Sequence, residues 1–368
     1  MMAKTLMTKT LMLLAMFFLG SVAMAAEPAL IPLQHVFLIV MENHGDDDII
    51  GNSHAPFINR FAHETNLARN YFAVGHPSLP NYLVLMGGSN FGVQNDDNPD
   101  WSGVRTGGVG VAPLAGVGVD AMVPAPVAPF GRAIPAAAYT AQSLGDQLVA
   151  AGKRWKSYQQ NIPASGVVDG VNFSDGVYSN RDRLPDGMDG IHKRYAAKHN
   201  PFVYFAAVQQ GRPAANSLQN VVGFDGANGL YADLSAGRAP ALSFIVPDLC
   251  HDMHGAGKRN EACGNHVALI EAGDATLREL VQAIHASPSW QTGHNALVVV
   301  WDENSDGSKP NRVPLIAETS DGVHGVVSER PYSHFSLLKT LEAGFHLPCL
   351  NHACDPTVLL IQDLFSKK

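Results

Sequence analysis

The chemistry in this chain is concentrated where apolar runs stop. Val36-Phe37-Leu38-Ile39-Val40-Met41 is followed at once by Glu42, Asn43 and His44, and Ala296-Leu297-Val298-Val299-Val300-Trp301 by Asp302, Glu303 and Asn304. A buried parallel strand reads as a continuous apolar run. Each abrupt change therefore marks a strand that delivers carboxylates and an amide to the carboxyl edge of a sheet, which is where open α/β sheets bind their ligands. Oxygen donors from two such strands suit a hard or borderline divalent cation, a phosphate, or both. Asp302 and Glu303 are neighbours and would diverge along a strict strand, but the chain turns at a strand end and both can converge on one ion.

A third segment contributes a hydroxyl. In Gly75-His76-Pro77-Ser78-Leu79-Pro80-Asn81-Tyr82, prolines stiffen the chain on both sides of Ser78, and a helical pattern follows over 81–86. A serine at a helix start meets unpaired N–H groups and the positive end of the helix dipole, which favour an alkoxide and a bound phosphoryl group. The same place also suits an ordinary N-cap serine. After another apolar run, Asp252 and His254 stand two apart and share a face in extended chain, a spacing for a ligand pair or for a general acid beside its orienting carboxylate. His199 and Asn200 precede Pro201; an imidazole there either completes the fold or aims an N–H at phosphate. His334 follows Ser333 and either points into the site or closes a helix start. The triplet Asp46-Asp47-Asp48 lacks the spaced pattern of a calcium loop and reads as solvated.

The elements that must position these groups follow from periodicity. Strands are expected over 35–41, 201–207, 241–246 and 296–301. Helices are expected over 143–151, opened by a Ser143/Asp146 capping box and stopped by Gly152; over 274–286, with Asp274 at its start and Leu277, Leu280, Val281 and Ile284 on one face; and over 334–343, between Ser333 as N-cap and Gly344. Alternating strands and helices of these lengths predict an α/β fold with a mostly parallel central sheet and helices on both faces. Residues 103–138, nearly all Gly, Ala, Val and Pro, read as an insertion loop, either a lid over the site or a surface excursion.

Lys4 and Lys9, the apolar stretch 11–18 and Ala23-Met24-Ala25 have the layout of a secretory signal peptide over 1–25, leaving 26–368 as a single domain that is periplasmic or secreted. No later segment has the apolar length of a membrane span, so no integral membrane segment is expected in the mature chain. The formal charge of −8 becomes more negative without those lysines, which argues against nucleic-acid binding. Export permits disulfides. Of the three connectivities open to four cysteines, the local pairs Cys250–Cys263 and Cys349–Cys354 are preferred, since each closes a short loop rich in polar or turn residues; without a CxxC spacing a cysteine zinc site is the lesser alternative.

Taken together, Val40-Met41-Glu42-Asn43-His44, His76-Pro77-Ser78-Leu79-Pro80-Asn81-Tyr82, 143–158, His199-Asn200-Pro201-Phe202, Asp252-Met253-His254, Gly273-Asp274-Ala275, Trp301-Asp302-Glu303 and Tyr332-Ser333-His334 resemble, in order, the bacterial phosphoesterase family of secreted acid phosphatases and phospholipases C, within the alkaline phosphatase-like superfamily. The resemblance implies Ser78 as nucleophile and a divalent metal surrounded by Glu42, Asn43, Ser78, Asp302 and Glu303. It implies that His199 and His254 hold phosphoryl oxygens or protonate the leaving group, with Asn200, Asp252 and His334 as additional site residues. The chain departs from the family pattern at Gly45-Asp46-Asp47-Asp48, at His251 and after Asp302, which bears on substrate range and metal choice. The implied function is an acid phosphatase that hydrolyses phosphomonoesters of small-molecule or lipid substrates through a phosphoserine. The alternatives are a phospholipase C-type phosphodiesterase and a catalytically idle metal- or phosphate-binding protein.

Overall fold

The computed structural model describes residues 30, 32–91, 93, 96, 99–105, 136–162, 194–255, 263–305 and 310–366. Residues 1–25 and most of the 103–138 insertion lie outside the described residues. The strands in chain order are β1 (His35–Met41), β2 (Asn66–Ala68), β3 (Tyr71–Phe72), β4 (Pro99–Arg105), β5 (Ala136–Tyr139), β6 (Trp155–Gln159), β7 (Val221–Val222), β8 (Leu242–Val246), β9 (Asn295–Trp301), β10 (Leu315–Thr319), β11 (Val327–Ser328) and β12 (Tyr332–Ser333). A central sheet takes the order β11-β2-β10-β9-β1-β8-β6-β7. Within it β1 is parallel to both β8 and β9, and β10 alone runs against its neighbours. β4 and β5, which flank the insertion, pair with each other in parallel.

The helices are α1 (Asp46–Ile49), α2 (Pro56–Glu64), α3 (Ser78–Gly87), α4 (Leu144–Ala150), α5 (Ala206–Gln210), α6 (Leu230–Ser235), α7 (His266–Ala286) and α8 (His334–Gly344). Alternate residues of a strand face opposite sides, and β1 uses both. Met41 packs toward α7, so closely that a Cβ at Gly273 would collide with Met253 and press on Met41. The next residue, Glu42, is bonded from α3. Helices therefore cover both faces, with α2 and α6 beside α7, and α4 and α8 beside α3. The α/β architecture with a mostly parallel sheet is the one expected.

Several elements form where periodicity puts them. The Ser143 capping box is made in both directions, with Asp146 N–H donating to Ser143 Oγ at 3.3 Å and Ser143 N–H to Asp146 Oδ2 at 2.7 Å, and Gly152 takes φ +71° beyond the helix end. Both expected disulfides are present, with Cα separations of 4.9 Å for Cys250–Cys263 and 5.2 Å for Cys349–Cys354.

Other expectations need correction. The 201–207 run is not a strand: Pro201–Tyr204 is a 3-10 turn leading into α5. Phe202, Val203, Tyr204 and Phe205 are all fully buried, and a short apolar run has no periodicity that separates strand from buried helix. Asp46 is not solvated; it is buried and faces Arg69 and Arg312, with nitrogens at 3.6 and 3.8 Å. The helix expected to start at Asp274 begins eight residues earlier, behind Asn265, whose side chain accepts from Ala268 N–H at 3.2 Å.

Asp274 does cap a helix, but a different one. Its Oδ1 and Oδ2 accept from Ile58 N–H at 2.8 Å and Phe57 N–H at 3.2 Å, the first turn of α2, whose own N-cap Ala55 offers no acceptor. Asp274→Ala should lower unfolding stability by about 1–2 kcal/mol, with activity retained. Urea denaturation checks this; an unchanged midpoint would mean that other acceptors serve the α2 amides.

Candidate active site

Glu42 and Asp302 each sit one residue past the end of a strand, and the β1–β9 register, with Met41 opposite Trp301, sets them side by side. The chain turns sharply there. Asn43 adopts φ +52°, and its N–H donates to Asp302 Oδ1 at 3.2 Å. Asn43 thus meets Asp302 through its backbone.

The first turn of α3 organises the carboxylates. Ser78 Oγ lies 3.2 Å from Glu42 Oε2 and 3.4 Å from Glu303 Oε1, and its one proton serves them in turn. Residues three and four along a helix share its face. Tyr82, four on, donates its hydroxyl to Glu42 Oε1 at 2.6 Å; Asn81, three on, donates to Glu303 Oε2 at 3.2 Å. The side-chain Oδ1 of Asn81 also accepts from the Val74 and Gly75 N–H groups, so it staples the 74–78 loop that presents Ser78. His76 Nδ1 stands 2.9 Å from Glu303 Oε2.

On the other side of Glu42 stands His199. Its Nε2 is 3.0 Å from Glu42 Oε1 and its Nδ1 3.3 Å from Asp252 Oδ2. Its ring stacks on Tyr82, with centroids 5.1 Å apart, and meets the His254 ring edge-on at 5.5 Å. Asp252 is fixed by its own turn, accepting from His254 N–H at 2.8 Å. Lys198, buried just before His199, donates to Asp96 Oδ2 at 2.9 Å and lies 3.1 Å from His254 Nε2. An ammonium only donates, so that nitrogen accepts, and His254 Nδ1–H donates to the Gly255 carbonyl at 2.8 Å.

Two of the expected site residues act from behind. His334 Nε2–H donates to the Asp302 main-chain carbonyl at 2.6 Å, while its Nδ1 accepts from the Tyr71 hydroxyl at 2.8 Å. It fixes the backbone that carries Asp302. Asn200 accepts from Ser157 Oγ and donates to the Tyr195 hydroxyl, framing the turn below His199. Tyr82, Asn81 and Lys198 are the contributors that sequence reasoning passed over. The i+3 and i+4 spacing from Ser78 signals the first two; for Lys198 the signal is only its place beside His199.

Burial dominates the electrostatics. Glu42, Asp252 and Asp302 are all pushed well above the ordinary carboxylate range by loss of solvent, and carboxylate neighbours add to it: Asp302 and Asp252 for Glu42, Glu303 for Asp302. Glu303 is raised for the same first reason, with His76 opposing. His199 is driven well below the usual imidazole value by burial and by Lys198. The donor set fits a divalent cation: Asp302 Oδ2, Asp252 Oδ2 and His199 Nε2 are buried and make no aligned hydrogen bond, the His199 contacts to Glu42 and Asp252 being close but misdirected, and one lysine does not balance four buried carboxylates. Two overlapping sets share Glu42. One is the oxygen-rich group that the family resemblance implies, Glu42, Ser78, Asp302 and Glu303, of which Ser78 Oγ lies beside Glu42 and Glu303; the other is Glu42, His199 and His254, whose ligand atoms lie within 4.8 Å of one another.

A hydroxyl at a helix start, set among buried carboxylates and imidazoles at the carboxyl edge of an α/β sheet, is the apparatus of an ester hydrolase. The sequence places it further: the profile of the Phosphoesterase family matches residues 52–348, and the chain belongs to that family. It is a hydrolase acting on phosphoric ester bonds. A phosphatidylinositol-3-phosphatase of Mycobacterium tuberculosis is 28% identical over 89% of this chain and 82% of its own length. An acid phosphatase of Aspergillus fumigatus is 24% identical over 88% of this chain, which spans 58% of that relative. A solved structure from Bacteroides thetaiotaomicron, from a study of the metabolism of multiple glycosaminoglycans, shares the fold at TM-score 0.50 and 13% identity, over 90% of this chain and 81% of the other.

Two expected outcomes follow from this geometry. Tyr82→Phe removes the hydroxyl donor to buried Glu42; loss of a hydrogen bond to a charged group costs about 1.5–3 kcal/mol, and kcat should drop by about one to two orders of magnitude with little change in fold, as steady-state kinetics and circular dichroism would show. Burial holds His334 down at about 4, whereas an unfolded imidazole titrates near 6.5, so between those values the unfolded chain binds a proton that the folded chain does not. Stability from this residue is therefore complete above pH 6.5 and is lost as pH falls, by about 2 kcal/mol at pH 5. His334→Gln should flatten the difference between urea unfolding at pH 7.5 and at pH 5; an unchanged difference would assign the acid sensitivity elsewhere.

Proposed function

We propose that this protein is an exported, metal-assisted phosphatase that hydrolyses phosphomonoesters through a phosphoserine on Ser78. The observation that carries the reading is the position of Ser78 Oγ, at the first residue of α3 and within 3.4 Å of two buried carboxylates. Glu42 or Glu303 draws off the hydroxyl proton, and the α3 amides and helix dipole favour the oxygen that remains. Glu42, Asp302, Glu303 and Ser78 would hold a divalent cation, which supplies charge neutralisation at the phosphoryl group and a lower pKa for the serine. Asn43 and Asp302 orient the strand ends around it.

The two histidines divide the remaining work. His199, kept neutral by burial, holds its place between Glu42 and Asp252. His254, once its Nε2 no longer accepts from Lys198, takes up a proton there and passes it to the leaving alcohol; water then cleaves the phosphoserine. An imidazolium acid favours mildly acidic operation. Phosphoinositides are the first physiological substrates to test, because the phosphatidylinositol-3-phosphatase relative aligns over most of both chains. Export rests on the leader-like residues 1–25 and on two disulfides.

The test is hydrolysis of p-nitrophenyl phosphate from pH 5 to 8 by the wild type, by Ser78→Ala and by chelator-treated enzyme. Ser78→Ala should lose at least about a thousandfold in kcat, chelation should abolish activity, and added divalent metal should restore it. Equal activity in the variant, or a rate that climbs through pH 9, would sink the mechanism.

A further inference from the structure

The centre described above is crowded with negative charge, yet the proposed substrate is a dianion. Against Glu42, Asp252, Asp302 and Glu303 stands one buried ammonium, Lys198, with 8% of its side chain exposed. Burial alone would lower its pKa, but Asp96 and Glu42 raise it above the ordinary lysine value and keep it charged. Its partner Asp96 is the least enclosed of these acids, with a quarter of its side chain exposed.

The placement of Asp96 is the informative feature. One oxygen accepts from Lys198 Nζ at 2.9 Å, and the other accepts from Leu79 N–H at 3.0 Å, the amide that follows Ser78 in the first turn of α3. Its carboxylate spans a cationic side chain and a helix-terminal amide next to the nucleophile. Oxygens of a phosphoryl group on Ser78 need those same two donors.

We propose that Lys198 is the specificity group for the second negative charge of a phosphomonoester, and that Asp96 occupies its place in the free enzyme as an internal anion that the substrate displaces. This deepens the phosphatase reading above and rests on it. A diester, with a single negative charge, gains little from releasing Lys198 and so leaves the Asp96 pair closed. The selectivity is electrostatic and lies in the Lys198–Asp96 pair, outside the carboxylate cluster that performs the chemistry.

Binding measurements test this without relying on turnover. Inorganic phosphate at pH 8, a dianion, and dimethyl phosphate, a monoanion, are titrated calorimetrically into the purified protein and into its Lys198→Gln and Asp96→Asn variants, with folding checked by circular dichroism. Lys198→Gln should weaken phosphate by about tenfold or more and leave dimethyl phosphate within about twofold. Asp96→Asn, which keeps an acceptor for Leu79 N–H but frees Lys198, should tighten phosphate several-fold. Equal weakening of both anions by Lys198→Gln, unchanged or weaker phosphate binding in Asp96→Asn, or no preference for phosphate in the wild type would overturn the proposal. Retained turnover in Ser78→Ala would instead overturn the nucleophile, and the binding comparison would stand.

Discussion

A carboxylate with no exposed surface stands at the end of the central strand, and the rest of the site is arranged around it. Taking Glu42 out of water costs several kcal/mol unless donors and positive charge replace the lost solvent. The protein answers with a tyrosine hydroxyl, a serine hydroxyl and, across the cluster, a lysine. Meeting that requirement brings the start of α3 against the carboxyl edge of the sheet, and with it Ser78 comes to lie between Glu42 and Glu303. The position of Ser78, the proposed nucleophile, is thus a by-product of satisfying a buried acid.

The same pressure explains the supporting residues. Asp302 needs its backbone held still, so a neutral buried histidine bonds its carbonyl and a tyrosine fixes that histidine. Glu303 needs donors at its outer oxygen, and Asn81 and His76 supply them. Asp302 Oδ2, Asp252 Oδ2 and His199 Nε2 stay buried without an aligned hydrogen bond, a need that a cation meets better than another side chain would. One scaffold hosts unrelated activities; what distinguishes this site is its donor set.

Much of this was legible in the amino-acid sequence, for identifiable reasons. The strands that carry Glu42 and Asp302 are central and buried on both faces, so they read as unbroken apolar runs that stop at an acid. The Ser143 capping box is a local signal and formed as local signals do, whereas Gly344 is the last residue of α8 and Phe345 ends that helix. The failures were non-local. Residues 201–207 are apolar because they are buried all round, which looks the same in strand and helix. Asp274 carries the chemistry of a cap, but nothing in its neighbours says that the helix it caps is α2, more than two hundred residues earlier in the chain. Lys198 and Asp96 meet across about a hundred residues, and no spacing rule connects them.

The register between β1 and β9 has an evolutionary consequence. Because Glu42 and Asp302 leave adjacent strands at matched positions, their main-chain separation is inherited from the spacing of strands in a sheet, about 4.8 Å, and the long insertions elsewhere in the chain do not set it. Segments such as the Gly- and Pro-rich stretch between β4 and β5 are then free to lengthen, shrink or change composition while the reactive centre keeps its dimensions. Diversification of substrate and conservation of chemistry are separable in this architecture, as a tool handle and its interchangeable heads are.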